Sequence, residues 1–360
     1  MYIVKMEKFY KNKKILITGH TGFKGTWLTI ILNSFGAELM GYALTPDTNP
    51  SFFTISKGES LCKSIIGDIR DIAKLHKQIK EFQPDIVFHL AAQPIVRTSY
   101  QIPAETFEVN AIGTANVLDG IRQLSKPCIA VMITTDKVYD NMESGRAYQE
   151  SDRLGGYDPY SASKACAELV IDSYRKSFFN SKEYEKHQTS LASARAGNVI
   201  GGGDWANDRL IPDIVRALAK KESIQIRNPK AVRPWQHVLE PLWGYLTLAR
   251  KMAENPLMYA DAFNFGPFPS DVLTVKEMTE LAVDIWGEGQ ISFPKLTNQP
   301  HEAGLLSLDI TKAERLLNWK PKLNAKKALA FTLEWYKSYY NNDSNMINIT
   351  HNQIDTYMDM

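Results

Sequence analysis

The sequence predicts an α/β chain, a doubly wound parallel sheet with a smaller, mostly C-terminal lobe. Three observations predict it. Apolar, β-branched runs alternate with helical periodicities through the first half of the chain. A glycine-rich turn, Gly19-His20-Thr21-Gly22-Phe23-Lys24-Gly25, falls between the first such run and the first helical pattern. Beyond Asn198 this alternation gives way to loops and shorter elements. The expected division is residues 1–190 with a later return of the chain to the same sheet, 197–340 mainly as the second lobe, and 341–360 as a polar, loosely ordered tail.

Lys14-Ile15-Leu16-Ile17-Thr18 reads as the first strand, and Trp27, Leu28, Ile31, Leu32 and Phe35 follow the glycine turn at helical spacing. Strand, glycine turn and helix in that order suit a dinucleotide: the backbone can approach a diphosphate, and the helix N-terminus offers N–H donors. The spacing is GxxGxxG. His20 is either a hydrogen-bond donor to that diphosphate or a plain turn residue. A second strand, Glu38 to Leu44, ends without the acidic residue that takes ribose hydroxyls and without an arginine for a 2′-phosphate, so it leaves NAD and NADP unresolved. Ser64 to Ile69 reads as the third strand, with Asp68 either near the adenine or capping the next helix. Asp85 to Leu90 forms the fourth and runs into the small residues Ala91 and Ala92. Arg97 follows in a loop, either meeting a substrate phosphate or solvated. Helices are expected from about 103 to 123 and from 160 to 179.

Between those helices Ile129-Ala130-Val131-Met132-Ile133 predicts a buried strand. Thr134-Thr135-Asp136-Lys137-Val138-Tyr139 then brings a hydroxyl, a carboxylate and an amine to its carboxyl end, where ligands of open α/β sheets bind. Tyr160 and Lys164 stand at i and i+4, on one helix face. An ammonium beside a phenol favours the phenolate, which would make Tyr160 a base below its ordinary pKa of about 10. Ser190 to Arg195 is a further strand. Arg233-Pro234-Trp235-Gln236-His237-Val238 sets a cation beside an aromatic in a turn, which suits a diphosphate. Val275, Met278, Leu281 and Ile285 make an apolar helix face.

The chain has 360 residues, 44% hydrophobic and 23% charged, with a net charge of +2. Lys and Arg are dispersed, which argues against nucleic acid and leaves room for a local phosphate pocket. Cys62, Cys128 and Cys166 have neither metal-ligand spacing nor an even framework, so reduced thiols and no metal are expected. No apolar run reaches about 18 residues, and the first 13 carry no apolar leader, so the expectation is a cytoplasmic protein with no membrane span.

The glycine turn, Leu90-Ala91-Ala92, Thr135 and Tyr160-xxx-Lys164 together resemble the extended short-chain dehydrogenase/reductase family over residues 13–340. Longer stretches resemble its CDP-glucose 4,6-dehydratase branch: Gly19 to Leu28, Ala91-Ala92-Gln93-Pro94, Thr135 to Tyr139, Arg195 to Ala206 and Arg233 to Val238. The resemblance implies a Rossmann domain with NAD held by Gly19, His20, Gly22, Phe23, Lys24, Gly25, Asp68, Ile69, Leu90, Ala91, Ala92, Tyr160 and Lys164. It implies CDP-glucose as substrate, met by Gln93, Arg97, Asn198, Arg233 and His301. The implied reaction oxidises the sugar at C4, eliminates water across C5 and C6, and returns the hydride to C6.

By resemblance Tyr160 takes the 4-hydroxyl proton, Lys164 lowers its pKa and holds the nicotinamide ribose, Thr135 bonds the 4-oxygen, and Asp136 protonates the departing 6-hydroxyl. Lys137 departs from the Thr-Asp-Glu of dTDP-glucose dehydratases. It is either a neutral base at C5, desolvated together with a protonated Asp136, or an electrostatic stabiliser of the enolate. The alternatives are a nucleotide-sugar 4-epimerase, a dehydratase of another nucleoside diphosphate sugar, and a non-catalytic NAD-sensing module. A homodimer or homotetramer packed through helices 103–123 and 160–179, and a role in deoxysugar synthesis for a surface polysaccharide such as O-antigen, are family inferences.

Overall fold

The computed structural model describes residues 2–294, 305–342 and 345–360. Among the described residues seven strands form one sheet: β1 (Lys14–Thr18), β2 (Glu38–Ala43), β3 (Lys63–Ile66), β4 (Ile86–His89), β5 (Cys128–Ile133), β6 (Thr189–Ala196) and β7 (Ala262–Phe265). Their order is β7-β6-β5-β4-β1-β2-β3, and all the pairings are parallel. A parallel sheet must be covered on both faces. Ile15 and Ile17 accordingly enter one apolar cluster with Trp27, while Leu16 between them enters another with Met40, Tyr42 and Val87. Six of these strands fall close to where the sequence predicts them, although the third ends at Ile66 instead of Ile69, and the sequence does not predict β7. β7 comes from within 197–340, so that stretch also contributes to the sheet.

The longer helices are α1 (Tyr2–Tyr10), α2 (Phe23–Ser34), α3 (Ile72–Phe82), α4 (Gly113–Ile121), α5 (Pro159–Ser177), α6 (Leu210–Lys220), α7 (Leu239–Glu254), α8 (Val275–Trp286), α9 (Ala325–Tyr340) and α10 (Met346–Asp359). The helix expected from 103 to 123 is interrupted by a wide turn at Glu108–Ile112. That turn carries Asn110, whose side chain accepts from Gln93 N at 2.9 Å and donates to Ser163 Oγ at 2.8 Å, tying it to β4's end and to α5. α5 starts where its sequence says it should, with Asp158 capping Ser161 N and Pro159 in the first turn. No helix among the described residues is long and apolar enough to cross a membrane.

The last residues correct the sequence expectation. The loosely ordered tail is in fact α10, whose Met346, Ile354 and Tyr357 are buried. Those scattered apolar residues share a helix face, and Thr350 Oγ1 accepts from Trp335 Nε1 at 3.0 Å. The polar first residues form α1, with Met6 and Tyr10 fully buried and Tyr10 donating to Leu246 O at 2.7 Å.

α10 is docked through a buried carboxylate. Glu240 accepts from Lys322 N, Leu323 N and the Tyr357 hydroxyl at 2.9, 2.7 and 2.8 Å. Burial outweighs these bonds and pushes Glu240 up to about 7. The folded protein therefore keeps a proton that the unfolded chain loses near pH 4.5. Stability should fall as pH rises from about 4.5 to about 7 and level off above, by roughly 3 kcal/mol from this group. Urea unfolding at about pH 5 and pH 8 should show that loss in the natural protein and not in Glu240→Gln.

Candidate active site

The turn after β1 is shaped by contacts that only glycine tolerates. Gly19 has φ +78°, and a Cβ there would sit 2.7 Å from Ala91 N. A Cβ on Gly25 would lie 2.1 Å from the Gly19 carbonyl oxygen. Leu90 N donates to Thr18 O at 3.1 Å and Ala91 N to Thr18 Oγ1 at 3.3 Å, which holds β4's end beside the turn. Exposed Gly22 precedes α2 without capping it by a side chain, and the first turn of this 12-residue helix contains no acidic residue. Its opening N–H groups fit a diphosphate.

Two expected cofactor contacts are otherwise engaged. His20 is fully buried, bonded to Ser64 Oγ at 2.7 Å and set edge-on to Phe53, and burial holds it down at about 4. It is a neutral wedge between the turn and the neighbouring strands. The Asp68 carboxylate is gripped by Arg70, and Asp71, not Asp68, caps α3. Ile69 is buried against Gly113.

Thr135, Lys137 and Tyr160 line one cleft of about 1160 Å³, together with Phe23, Lys24, Arg97, Asn198, Arg209 and Arg233. Asp136 is not on that surface. It is fully buried immediately behind it, accepting from Thr135 Oγ1 at 2.9 Å and from Asn198 Nδ2 at 3.1 Å. Asn198 reaches it from a left-handed backbone, φ +50°, and the preceding Gly197 leaves the carboxylate its space: a Cβ there would fall 2.0 Å from Asp136 Cγ.

The expected phenolate is not what the structure favours. Burial pushes Tyr160 up to about 12, opposed by a hydrogen bond with Thr135 and by the Arg209 charge. The Lys164 Nζ donates to Ile133 O at 3.1 Å. Burial lowers Lys164 to about 8 and Lys24 to about 7, the latter helped by Arg209 and Lys164 and resisted by Asp136. Lys24 lines the cleft beside Phe23, with its Nζ 5.9 Å from the Tyr245 ring.

Of the expected substrate residues, Asn198, Arg97 and Arg233 reach the cleft. Arg97 sits on a short helix, Val96–Gln101, instead of a loop, and Arg233 lies in a two-residue strand instead of a turn. The Gln93 amide donates to Thr106 Oγ1 at 3.0 Å and accepts from Ile95 N at 2.6 Å, which fixes the loop after β4. His301 lies outside the described residues. Two arginines escaped the sequence reading. Arg209 lines the cleft paired with Asp204 at 2.8 Å, and Arg227 meets Asp208 at 2.8 Å. Asp208 Oδ1 also faces Arg97 Nε at 3.6 Å. Arg209 directly follows Asp208 in a loop and Arg227 closely follows the short strand Ile224–Gln225, so no motif marked either. Among the described residues no cluster of side chains suits a metal ion.

Residues 16–332 match the family described as GDP-mannose 4,6 dehydratase. The chain belongs to this family. Within it, the chain is 46% identical to the CDP-glucose 4,6-dehydratase of Salmonella typhimurium, over 98% of each chain. It is 26% identical to the CDP-paratose 2-epimerase of Salmonella typhi, over 90% of this chain and 99% of that one. Its fold is that of a dTDP-glucose 4,6-dehydratase from Streptomyces venezuelae solved with NAD bound, with TM-score 0.78 and 23% identity over 91% of this chain and 98% of that one. The UDP-glucose 4-epimerase of Thermotoga maritima superposes with TM-score 0.75 at 20% identity, over 91% and 99% of the two chains.

The family's glycine turn gives a direct test. Gly25→Ala cannot relieve its contact, since the obstructing atom is backbone. NAD affinity, measured by calorimetry, should fall by about 100-fold or more, and the protein should lose about 1–3 kcal/mol of stability.

Proposed function

We propose that the chain is an NAD-dependent CDP-glucose 4,6-dehydratase, converting CDP-glucose to CDP-4-dehydro-6-deoxyglucose and water. The observation that carries this reading is the meeting of Thr135, Lys137 and Tyr160 on one cleft wall with the Asp136 carboxylate directly behind it. End-to-end similarity to a CDP-glucose 4,6-dehydratase supports the same substrate. An epimerase needs the tyrosine and lysine but has no use for an acid and an amine aimed at elimination.

NAD, held at the glycine turn Gly19–Gly25 and the opening of α2, would supply a hydride acceptor for C4 and a hydride donor for C6. The chain's own groups handle the protons. Tyr160 takes the 4-hydroxyl proton, with Thr135 and Arg209 opposing the effect of its burial. Asp136 gives the proton that leaves with the 6-oxygen, delivered through the Thr135 hydroxyl its carboxyl already touches. Lys137 receives the C5 proton from its half-buried place in the cleft wall. Arg97, Arg209, Arg227 and Arg233 supply cations for the diphosphate, and the arginine fork suits phosphate oxygens.

The reading extends to a homodimer. Ile112 and Leu169 are 55% and 58% exposed, on the two helical stretches that pack across a two-fold in the resembled family. Replacing both with glutamate should turn a dimer into a monomer in light scattering while leaving the circular dichroism unchanged.

Incubation with CDP-glucose should yield a 4-keto sugar, read by its ultraviolet absorbance in alkali; formation of CDP-galactose instead would establish an epimerase. In deuterated water Lys137→Ala should lose C5 exchange by about 100- to 10,000-fold while still oxidising C4. Exchange at the natural rate in that variant would remove Lys137 from the base role.

A further inference from the structure

Glu168 takes no part in the proton transfers above, yet it is the charged group bound most closely to the segment that carries them. It follows Lys164 by four residues and Tyr160 by eight, so the three share one stripe of α5. Its side chain is 1% exposed. Oε1 accepts from Thr134 Oγ1 at 2.5 Å, and Oε2 accepts from Ser193 Oγ at 2.9 Å and from Arg195 Nη2 at 2.8 Å. Arg195 continues the chain of contacts, donating to the Tyr139 hydroxyl at 2.9 Å and to Glu150 O at 3.0 Å. Thr134 and Tyr139 are the two residues that bracket Thr135–Val138. One carboxylate thus grips the first directly and the second through a guanidinium.

A buried ion pair is weak ground for stability, because well-packed apolar residues of equal volume usually serve as well. The placement of this one is informative instead. We propose that Glu168 is a positioning residue, which anchors both ends of the Thr134–Tyr139 segment to α5 and sets the charge environment of Lys164. The proposal rests on the dehydratase reading for the roles of Thr135, Lys137 and Lys164. Glu168 attracts the Lys164 ammonium and works against the burial that lowers it to about 8. The other charged or titratable groups near this pair are Arg195 on β6, Lys24 on α2, His89 on β4, Tyr160 on α5 itself, and Tyr139 and Asp136 after β5. Of these, Glu168 alone both touches the segment and raises Lys164.

The sign of the effect is fixed. Without the carboxylate Lys164 becomes neutral at a lower pH, so activity that needs its ammonium is lost earlier as pH rises. In the NAD-loaded enzyme Glu168→Gln should move the alkaline limb of kcat down by about one pH unit or more. A merely structural role would lower Tm and leave that limb in place. Thr134→Val keeps the ion pair and cuts only the anchor; its kcat should fall about tenfold or more with KM for CDP-glucose little changed, and its crystal structure should show the Thr135–Val138 turn displaced. An unmoved alkaline limb in folded Glu168→Gln overturns the electrostatic role, and an undisplaced turn in Thr134→Val overturns the anchoring role. If the natural enzyme does not turn over CDP-glucose, the dehydratase reading fails, while the Thr134→Val crystal structure still decides the anchoring.

Discussion

The site depends on one constraint: its parts arrive at the carboxyl ends of four adjacent parallel strands, β6, β5, β4 and β1. Strand order reverses between β4 and β1, so the chain leaves those two strands in opposite directions and a crevice opens between their ends. The glycine turn closes β1, and Ala91 presses against it from β4. β5 delivers Thr135, Asp136 and Lys137, and β6 delivers Gly197 and Asn198. Because every strand in this group is buried on both faces, none of these ends can shift without disturbing two apolar clusters.

Into that frame the chain crowds cations around one carboxylate. Lys24 feels the charges of Arg209, Lys164 and Asp136 at once. Burial, helped by Arg209 and Lys164, brings Lys24 to about 7, and burial against the pull of Glu168 brings Lys164 to about 8. An interior that lowers amines this far is a setting in which amine base chemistry is possible near neutrality. The same burial raises the Tyr160 phenol, so neighbouring cations and the Thr135 hydroxyl must together offset it.

Much of this was legible in the sequence because it depends on local pattern. Glycine spacing, apolar alternation and the i, i+4 offset of Tyr160 and Lys164 are short-range facts, and they located the sheet, the turn and the reacting segment. What escaped depends on contacts across long separations. Nothing within the glycine turn says that His20 faces Ser64, 44 residues away, or that Lys24 swings into the cleft. Gln93 stands in a motif that suggested a ligand, but its amide is claimed by Thr106 and Ile95. The final segment looked disordered because its apolar residues are sparse, and only their helical spacing could have revealed a docking face.

That face has a wider consequence. Tyr10 from α1 and Tyr357 from α10 both bond to the same helix, α7, at Leu246 O and at Glu240. The beginning and the end of the polypeptide are thereby gathered onto one internal strut. Most domains fray first at their termini. Here neither terminus can peel away without exposing the helix that also packs beneath β5, β6 and β7, so disassembly is steered away from the ends and toward the loops around the cleft.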